Sequence, residues 1–438
     1  MAGNEVTVFI EHVRCFAEAQ SIPIRPLTLL VGENSSGKST FLAVAAALFE
    51  RDRFPLRPSF NEPPFNLGNF ETIATYKGGK YGRDEAFTIG FSSGTDGEQN
   101  FCEIEGTYVR DRGKPALSRL HAKSPLGSID IEVTDDRISG NVTIQSSKGT
   151  TPISVQTQDI SDAREKLGMF PLERDLSRLL LYLTQRSGKV LDRVKFEGIW
   201  KLSESLRQPF AQTFALAPIR TRPKRTYDEL SEDYSPEGDH VPKLLARLLN
   251  EESRSEPGRR LQEAILKFGK ESGLFRDVEV KKLGKGADDP FQVQIGVGGP
   301  KVNLIDVGYG VSQSLPVVVQ SVLRRQSSLL LIQQPEVHLH PRAQAALGTF
   351  FADLAATGND TLLIETHSDY LIDRVRQEVA KGTLDPNRVL ILFFHKPKME
   401  TAVYPIHLDR LGNVEDAPDH YRDFFLQEEL NILGHAEE

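Results

Sequence analysis

The sequence is poor in cysteine, and that bounds what can hold it together. Only Cys15 and Cys102 occur in 438 residues, which excludes a disulfide framework and suits a reducing compartment. Long apolar runs are missing too. "FLAVAAALF" falls far short of the roughly 20 residues of a membrane span. The opening "MAGNEVTVFIEHVRCF" lacks a basic segment followed by an apolar one and does not read as a signal peptide. Positive charge is in deficit: the net charge of -8 argues against indiscriminate coating of nucleic acid and leaves room only for a local basic face. Together these absences point to the cytoplasm and away from a membrane. What is there is ordinary globular material, 39% hydrophobic and 26% charged. It is too long for one simple core, so we expect one large domain with an insertion, or two domains.

Along the chain, "VTVFIEHVRCF" alternates and reads as a half-buried strand, while "PLTLLV" is a continuous apolar run typical of a strand buried on both faces. "STFLAVAAALFE" reads as a helix, and 66–75 as a loop. From 85 to 157, "AFTIGF", "FCEIEGTYV", "SIDIEV", "NVTIQS" and "ISVQTQ" predict an antiparallel sheet. Residues 160–216 and 241–272 are helical in pattern, and strands return at "VEVKKL" and "FQVQIG". The remainder alternates helix and strand, from "VSQSLPVVVQSVLRRQ" through "SLLLIQQ", "PRAQAALGTFFADLAAT", "DTLLIETHS", "DYLIDRVRQEVAKG" and "RVLILFF" to a terminal helix "YRDFFLQEELNIL". Such alternation predicts an α/β fold with a mainly parallel sheet covered on both faces.

Residues 31–40, "VGENSSGKST", carry the chemistry. Gly32 to Ser39 fit G-x-x-x-x-G-K-[ST] between an apolar strand and a helix, the context that motif requires. Backbone N–H groups along Asn34, Ser35, Ser36 and on to Thr40 would form a nest for phosphate at the positive end of a helix. Gly32 and Gly37 permit backbone angles and close approach that a Cβ would hinder. Lys38 would reach the β- and γ-phosphates of ATP, and Ser39 would ligate Mg²⁺. A partner strand, "LLLIQQPEVHLHP", ends in polar groups, so Gln333 would face the Mg²⁺ shell and Gln334 the γ-phosphate. His367 ends the next apolar strand and is placed as a γ-phosphate contact. "DVGYGVSQSLPVVV" opens a second helix with Gly310, Ser312 and Gln313, which makes sense if that helix start caps the nucleotide of another copy.

These features together resemble the ATP-binding-cassette heads of the RecF/SMC class, and most of all ATPases of the OLD (overcoming lysogenisation defect) type. "IEHVRCFAEAQSIPIRPLTLLVGENSSGKSTFL" resembles that group's opening. "PEVHLHPRAQAAL" resembles its segment after Walker B, and "YPIHLDRLGNVEDAPDHYRDFF" an extension found on some members. The resemblance is strong over 1–75 and 295–425. It implies a P-loop NTPase of ABC/SMC head type with an antiparallel β subdomain and a helical insertion. On that plan 1–84 is an N-terminal ATPase lobe, 85–157 the β subdomain, 158–275 the insertion, and 276–438 the C-terminal lobe. It also implies a homodimer or higher oligomer that sandwiches ATP between Lys38 of one copy and Ser312 of the other, in antiviral defence or DNA maintenance.

The chain departs from that pattern twice. Walker B is usually Asp-Glu, and here it is Gln333-Gln334. An amide takes up no proton but can orient an attacking water, so a slow or absent ATPase is expected. Glu336, on the loop leaving that strand, is placed ahead of Glu365 as a source of a carboxylate. OLD nucleases also carry a Toprim domain, for which the 71 residues after His367 leave too little chain. The expected function is therefore an ATPase that regulates a separate effector, a nuclease or toxin. A RecF-like repair ATPase that binds DNA and a non-hydrolysing scaffold are the alternatives. His338 and His340 lack a nearby third ligand and are not read as a metal pair. The basic run Arg220, Arg222, Lys224 and Arg225 reads as a solvated loop or as ion pairs with the acidic stretch after it, ahead of a nucleic-acid contact.

Overall fold

Two hydrophobic periods in the sequence become two kinds of sheet. Apolar runs without polar interruption form strands buried at nearly every position, such as Leu27–Gly32 and Ser328–Gln333. Alternating runs form strands with one buried face, such as Val6–Glu11 and Cys102–Asp111. A computed structural model describes residues 5–50, 53–79, 82–146, 149–157, 193–228, 233–249, 255–286, 289–324, 327–419 and 421.

The central sheet has the order Gln212–Leu216, Ser328–Gln333, Thr361–Glu365, Leu27–Gly32, Val389–His395, Ala402–Leu408, Val414–Glu415. Its first five strands are parallel and the last two antiparallel. Successive side chains of a strand point to opposite faces, so each apolar run feeds two cores. Leu30, Leu331, Leu363 and Leu392 join Phe41 and Leu42 of helix Lys38–Leu48. Leu29, Ile332, Ile364 and Ile391 meet helices Tyr309–Leu323, Pro341–Thr357 and Asp369–Ala380 on the other side. Each such Leu or Ile, fully buried, contributes about 1.5–3 kcal/mol. That two-sided burial pins the carboxyl ends of the parallel strands side by side.

The first core is closed by an eight-stranded antiparallel sheet, in the order Gly149–Thr157, Ile138–Ser146, Gly127–Val133, Lys114–Ser124, Cys102–Asp111, Ala86–Ser93, Val6–Glu11, Gln20–Ile24. The antiparallel sheet expected over 85–157 thus takes two further strands from the start of the chain. It also contains a strand, Lys114–Ser124, that alternation did not reveal. Leu117 and Leu120 sit three apart, a helical spacing, yet both are buried. A register shift makes this work: Arg119 pairs with Thr107 and Leu117 with Tyr108, so Ser118 is the extra residue of a β-bulge.

Within 160–216, expected to be helical, the described part holds helix Arg193–Ser205 and then the strand Gln212–Leu216. Five residues are too few to display a period; parallel pairing with Ser328–Gln333 decides their state. Helices Val241–Leu248 and Glu256–Ser272 lie where helix was expected, and the loop expected at 66–75 contains a short helix, Phe70–Ile73, capped by Asn69. "DLSRLLLYLTQ" and nearly all of the expected terminal helix fall outside the described residues. Among the described residues, no helix is long and apolar enough to cross a membrane.

Candidate functional site

Strand Leu27–Gly32 delivers the chain to the carboxyl edge of the parallel sheet, where it turns into helix Lys38–Leu48. Two glycines make the turn. Gly32 has φ +136°, and a Cβ there would lie 2.3 Å from the carbonyl oxygen of Phe394. Gly37, the N-cap, has φ +105°. No side chain caps this helix and its first turn has no acidic residue, so its positive end faces the loop unneutralised. Lys38, only 3% exposed, donates to the carbonyls of Gly32 at 2.9 Å and Glu33 at 2.7 Å. Burial lowers its pKa, against the opposing pull of Glu365, Glu33 and Glu336. The buried hydroxyl of Ser36 has no hydrogen-bond partner among the described residues. Asn34, Ser35, Gly37, Lys38, Ser39 and Thr40 line a cleft of about 620 Å³, a size that suits a nucleotide.

Across the cleft stand Gln334 and Glu365. Gln334 has φ +42°, and its backbone N–H donates to the carbonyl of Glu365 at 2.8 Å. Ser39 Oγ donates to both carboxylate oxygens of Glu365, at 3.0 and 2.9 Å. Gln333 is buried beside them, its Nε2 3.4 Å from Glu365 Oε2. Sequence reasoning placed Glu336 ahead of Glu365 as a source of a carboxylate; of the two, Glu365 lines the cleft. Glu336 is buried outside the cleft lining, and its carboxylate accepts the backbone N–H of His367 at 2.7 Å. Burial raises its pKa, partly offset by hydrogen bonds from that N–H and from Thr366. The His367 side chain is exposed. Desolvation and then Lys38 lower its pKa. Arg14, Arg83 and Lys396 also line the cleft. Nothing in the sequence marked them, because each arrives from a different element.

The second helix start is elsewhere. Gly308 caps helix Tyr309–Leu323, so Gly310, Ser312 and Gln313 lie inside its first turns. Ser312 borders a separate cleft of about 650 Å³ with Arg222, Ile305, Tyr309 and His338, and the two clefts share no lining residue. Gln313 was expected to meet nucleotide, but it is 1% exposed. Its amide faces the backbone of Arg220, accepting from the N–H at 3.3 Å and donating to the carbonyl at 3.4 Å.

The basic run dissolves as a unit. Arg220 is fully buried, donates to the carbonyl of Gln333 at 3.0 Å, and has its pKa pulled down to about 10 by burial. Arg225 pairs with Asp306 through two bonds of 2.9 and 2.7 Å, while residues 229–232 of the acidic stretch that follows it lie outside the described residues. His340 caps helix Pro341–Thr357, and His338 stands edge-on to Tyr309. For Mg²⁺, the Ser39 hydroxyl and Glu365 carboxylate supply hard oxygen donors of the kind that ion takes.

The family described as AAA ATPase domain matches residues 117–372, a span holding Ser312, the Gln333-Gln334 pair and His367 but beginning after the glycine loop. No curated protein matches the sequence significantly. Among solved structures, the SMC head domain from Thermotoga maritima is 11% identical, with 92% of this chain and 98% of that one covered, at a TM-score of 0.41. An SMC head bound to the C-terminal winged-helix domain of ScpA is 9% identical over 92% and 98%, at 0.46. The SMC head with an extended coiled coil, bound to ScpA's C-terminal domain and derived from Pyrococcus furiosus, is 9% identical over 99% of both chains, at 0.41. The parallel sheet with a glycine loop at its carboxyl edge is the expected P-loop fold, and with more than half of its length matched the chain belongs to the AAA ATPase domain family.

Proposed function

We propose that this ATPase pairs two copies around ATP and so switches a separate effector, with turnover slow enough for the paired state to persist. The observation that carries the reading is the division of labour within one chain. Lys38 and Ser39 line one cleft and Ser312 another, with no residue in common, so a nucleotide held by the first meets a Ser312 only from a second copy. In the first cleft the loop N–H groups and Lys38 bind the phosphates, while Ser39 ligates Mg²⁺. Mg²⁺ would neutralise charge developing on the β- and γ-oxygens. Gln334 orients the attacking water without accepting its proton. A general base typically contributes about 10²–10⁴-fold, which is the scale of the expected slowness. His367 offers the γ-phosphate a hydrogen bond.

A nuclease or toxin in a cytoplasmic anti-phage system is the effector the OLD-like segments favour. A DNA-repair reading is weakened because Arg220 and Arg225 already have internal partners. A scaffold that never hydrolyses is the rival that the two glutamines support. Light scattering of the purified chain should show a monomer-to-dimer shift with ATP. Lys38→Ala and Ser312→Arg variants should each fail alone, yet pair when mixed, because one composite site survives. A mixture that stays monomeric while the wild type dimerises sinks the sandwich. Phosphate release from the dimer separates the slow switch from the scaffold.

A further inference from the structure

The Gln333-Gln334 pair leaves strand Ser328–Gln333 without a carboxylate at its end, yet a carboxylate stands beside Ser39. It comes from the neighbouring strand. Thr361–Glu365 lies between the glycine-loop strand and Ser328–Gln333, with Glu365 opposite Leu30 on one side and Gln333 on the other. Glu365 is therefore one strand closer to the loop than Gln333. Although 5% exposed, it lines the cleft, and both its oxygens accept from Ser39. Its other close neighbour is the Gln333 amide, which can donate to a carboxylate but carries no charge. Buried carboxylates are costly unless hydrogen-bonded or held near a cation or metal. This one has a hydroxyl, an amide and the nearby Lys38, and it faces open cleft.

We infer that Glu365 has taken over the metal-directed carboxylate role that Gln333 cannot fill, holding Mg²⁺ together with Ser39, while Gln333 is a positioning residue that orients Glu365. The inference rests on the ATP-binding reading above. The carboxylate stands one strand nearer the glycine loop than position 333, within the same site. Ser39 keeps an anionic partner, and the glutamines abolish proton transfer without abolishing metal-dependent binding.

The test is calorimetric titration of the full chain with ATP, in Mg²⁺ and in EDTA, reading the ratio of the two affinities. The wild type should bind at least about tenfold tighter with Mg²⁺, and Glu365→Gln should bring the ratio close to one, since losing such a partner costs about 10–100-fold in metal affinity. Adding Gln333→Asp to Glu365→Gln should restore the ratio, because it returns a carboxylate to the other strand. Glu365→Asp should fall between, and it decides the matter if Glu365→Gln does not fold. Lys38-dependent binding whose ratio is untouched by Glu365→Gln overturns the role of Glu365 and leaves the nucleotide site standing. A double variant that folds but regains nothing overturns the exchange between strands. A wild type that binds no ATP in either buffer removes the nucleotide site and this inference with it.

Discussion

Lys38 and Arg220 are both buried cations near the carboxyl edge of the parallel sheet, and they are held in opposite ways. Lys38 takes both its acceptors from its own loop, five and six residues back in the chain, and lines an open cleft. Arg220 reaches 113 residues along the chain to the Gln333 carbonyl, is braced by Gln313, and feels the charge of Glu336. Its Nε and Nη1 have no partner among the described residues. On the proposed reading the first cation exchanges carbonyls of its own loop for phosphate oxygens. The second joins helix Tyr309–Leu323 to the end of strand Ser328–Gln333 and cannot leave. Burial alone does not distinguish a binding cation from a structural one; the origin of the acceptors does.

Breaking each cation should therefore damage a different quantity. Arg220→Met leaves the Gln333 carbonyl without its donor and takes away one of the two cations, with Lys38, that act on buried Glu336. Leaving such a buried acceptor unsatisfied costs about 1–3 kcal/mol, read as a lower midpoint in urea unfolding. A loss below about 1 kcal/mol would mean that Arg220 is not structural. Lys38→Ala should weaken ATP binding by about 100-fold, equivalent to about 2.7 kcal/mol. Because it also removes a desolvated charge, its unfolding midpoint should stay close to that of the wild type. If stability falls as far as with Arg220→Met, the contrast fails.

His121 sharpens the comparison as a cation that water still reaches. It sits between Glu103 and Asp130 on the antiparallel sheet, and hydrogen bonding to Glu103 and then Asp130 raises its pKa to about 9. With the folded pKa above the unfolded one, its contribution is fully present below pH 6.5 and is lost as pH climbs through about 9. A third of the side chain is exposed, so the effect belongs to the few tenths of a kcal/mol of solvent-screened pairs. His121→Asn should flatten that small slope in unfolding free energy between pH 6.5 and 9. An unchanged slope removes His121 as its source.

Much of the site was legible because its signals are local. The glycine loop needs only the positions of Gly32, Gly37, Lys38 and Ser39, and the strands ending at Gln333 and Glu365 announce themselves as apolar runs. Glu336 ranks over Glu365 in the sequence because it sits on the loop leaving strand Ser328–Gln333, whereas contact with Ser39 depends on distance across the sheet. Arg220 read as part of a surface run because its neighbours Arg222, Lys224 and Arg225 are exposed. Lys114–Ser124 escaped because a bulge shifts the period that reveals strands.

The sequence alone determined the phosphate loop, the parallel strands around it and the absence of a base at 333–334, since each depends on a few adjacent residues and on backbone chemistry that travels with them. Only the tertiary structure decided which carboxylate meets Ser39, which arginine is entombed, and that Ser312 faces a cleft of its own. Those outcomes depend on strand order and on contacts bridging up to 326 residues, set by how two cores pack against one sheet rather than by any neighbouring residue.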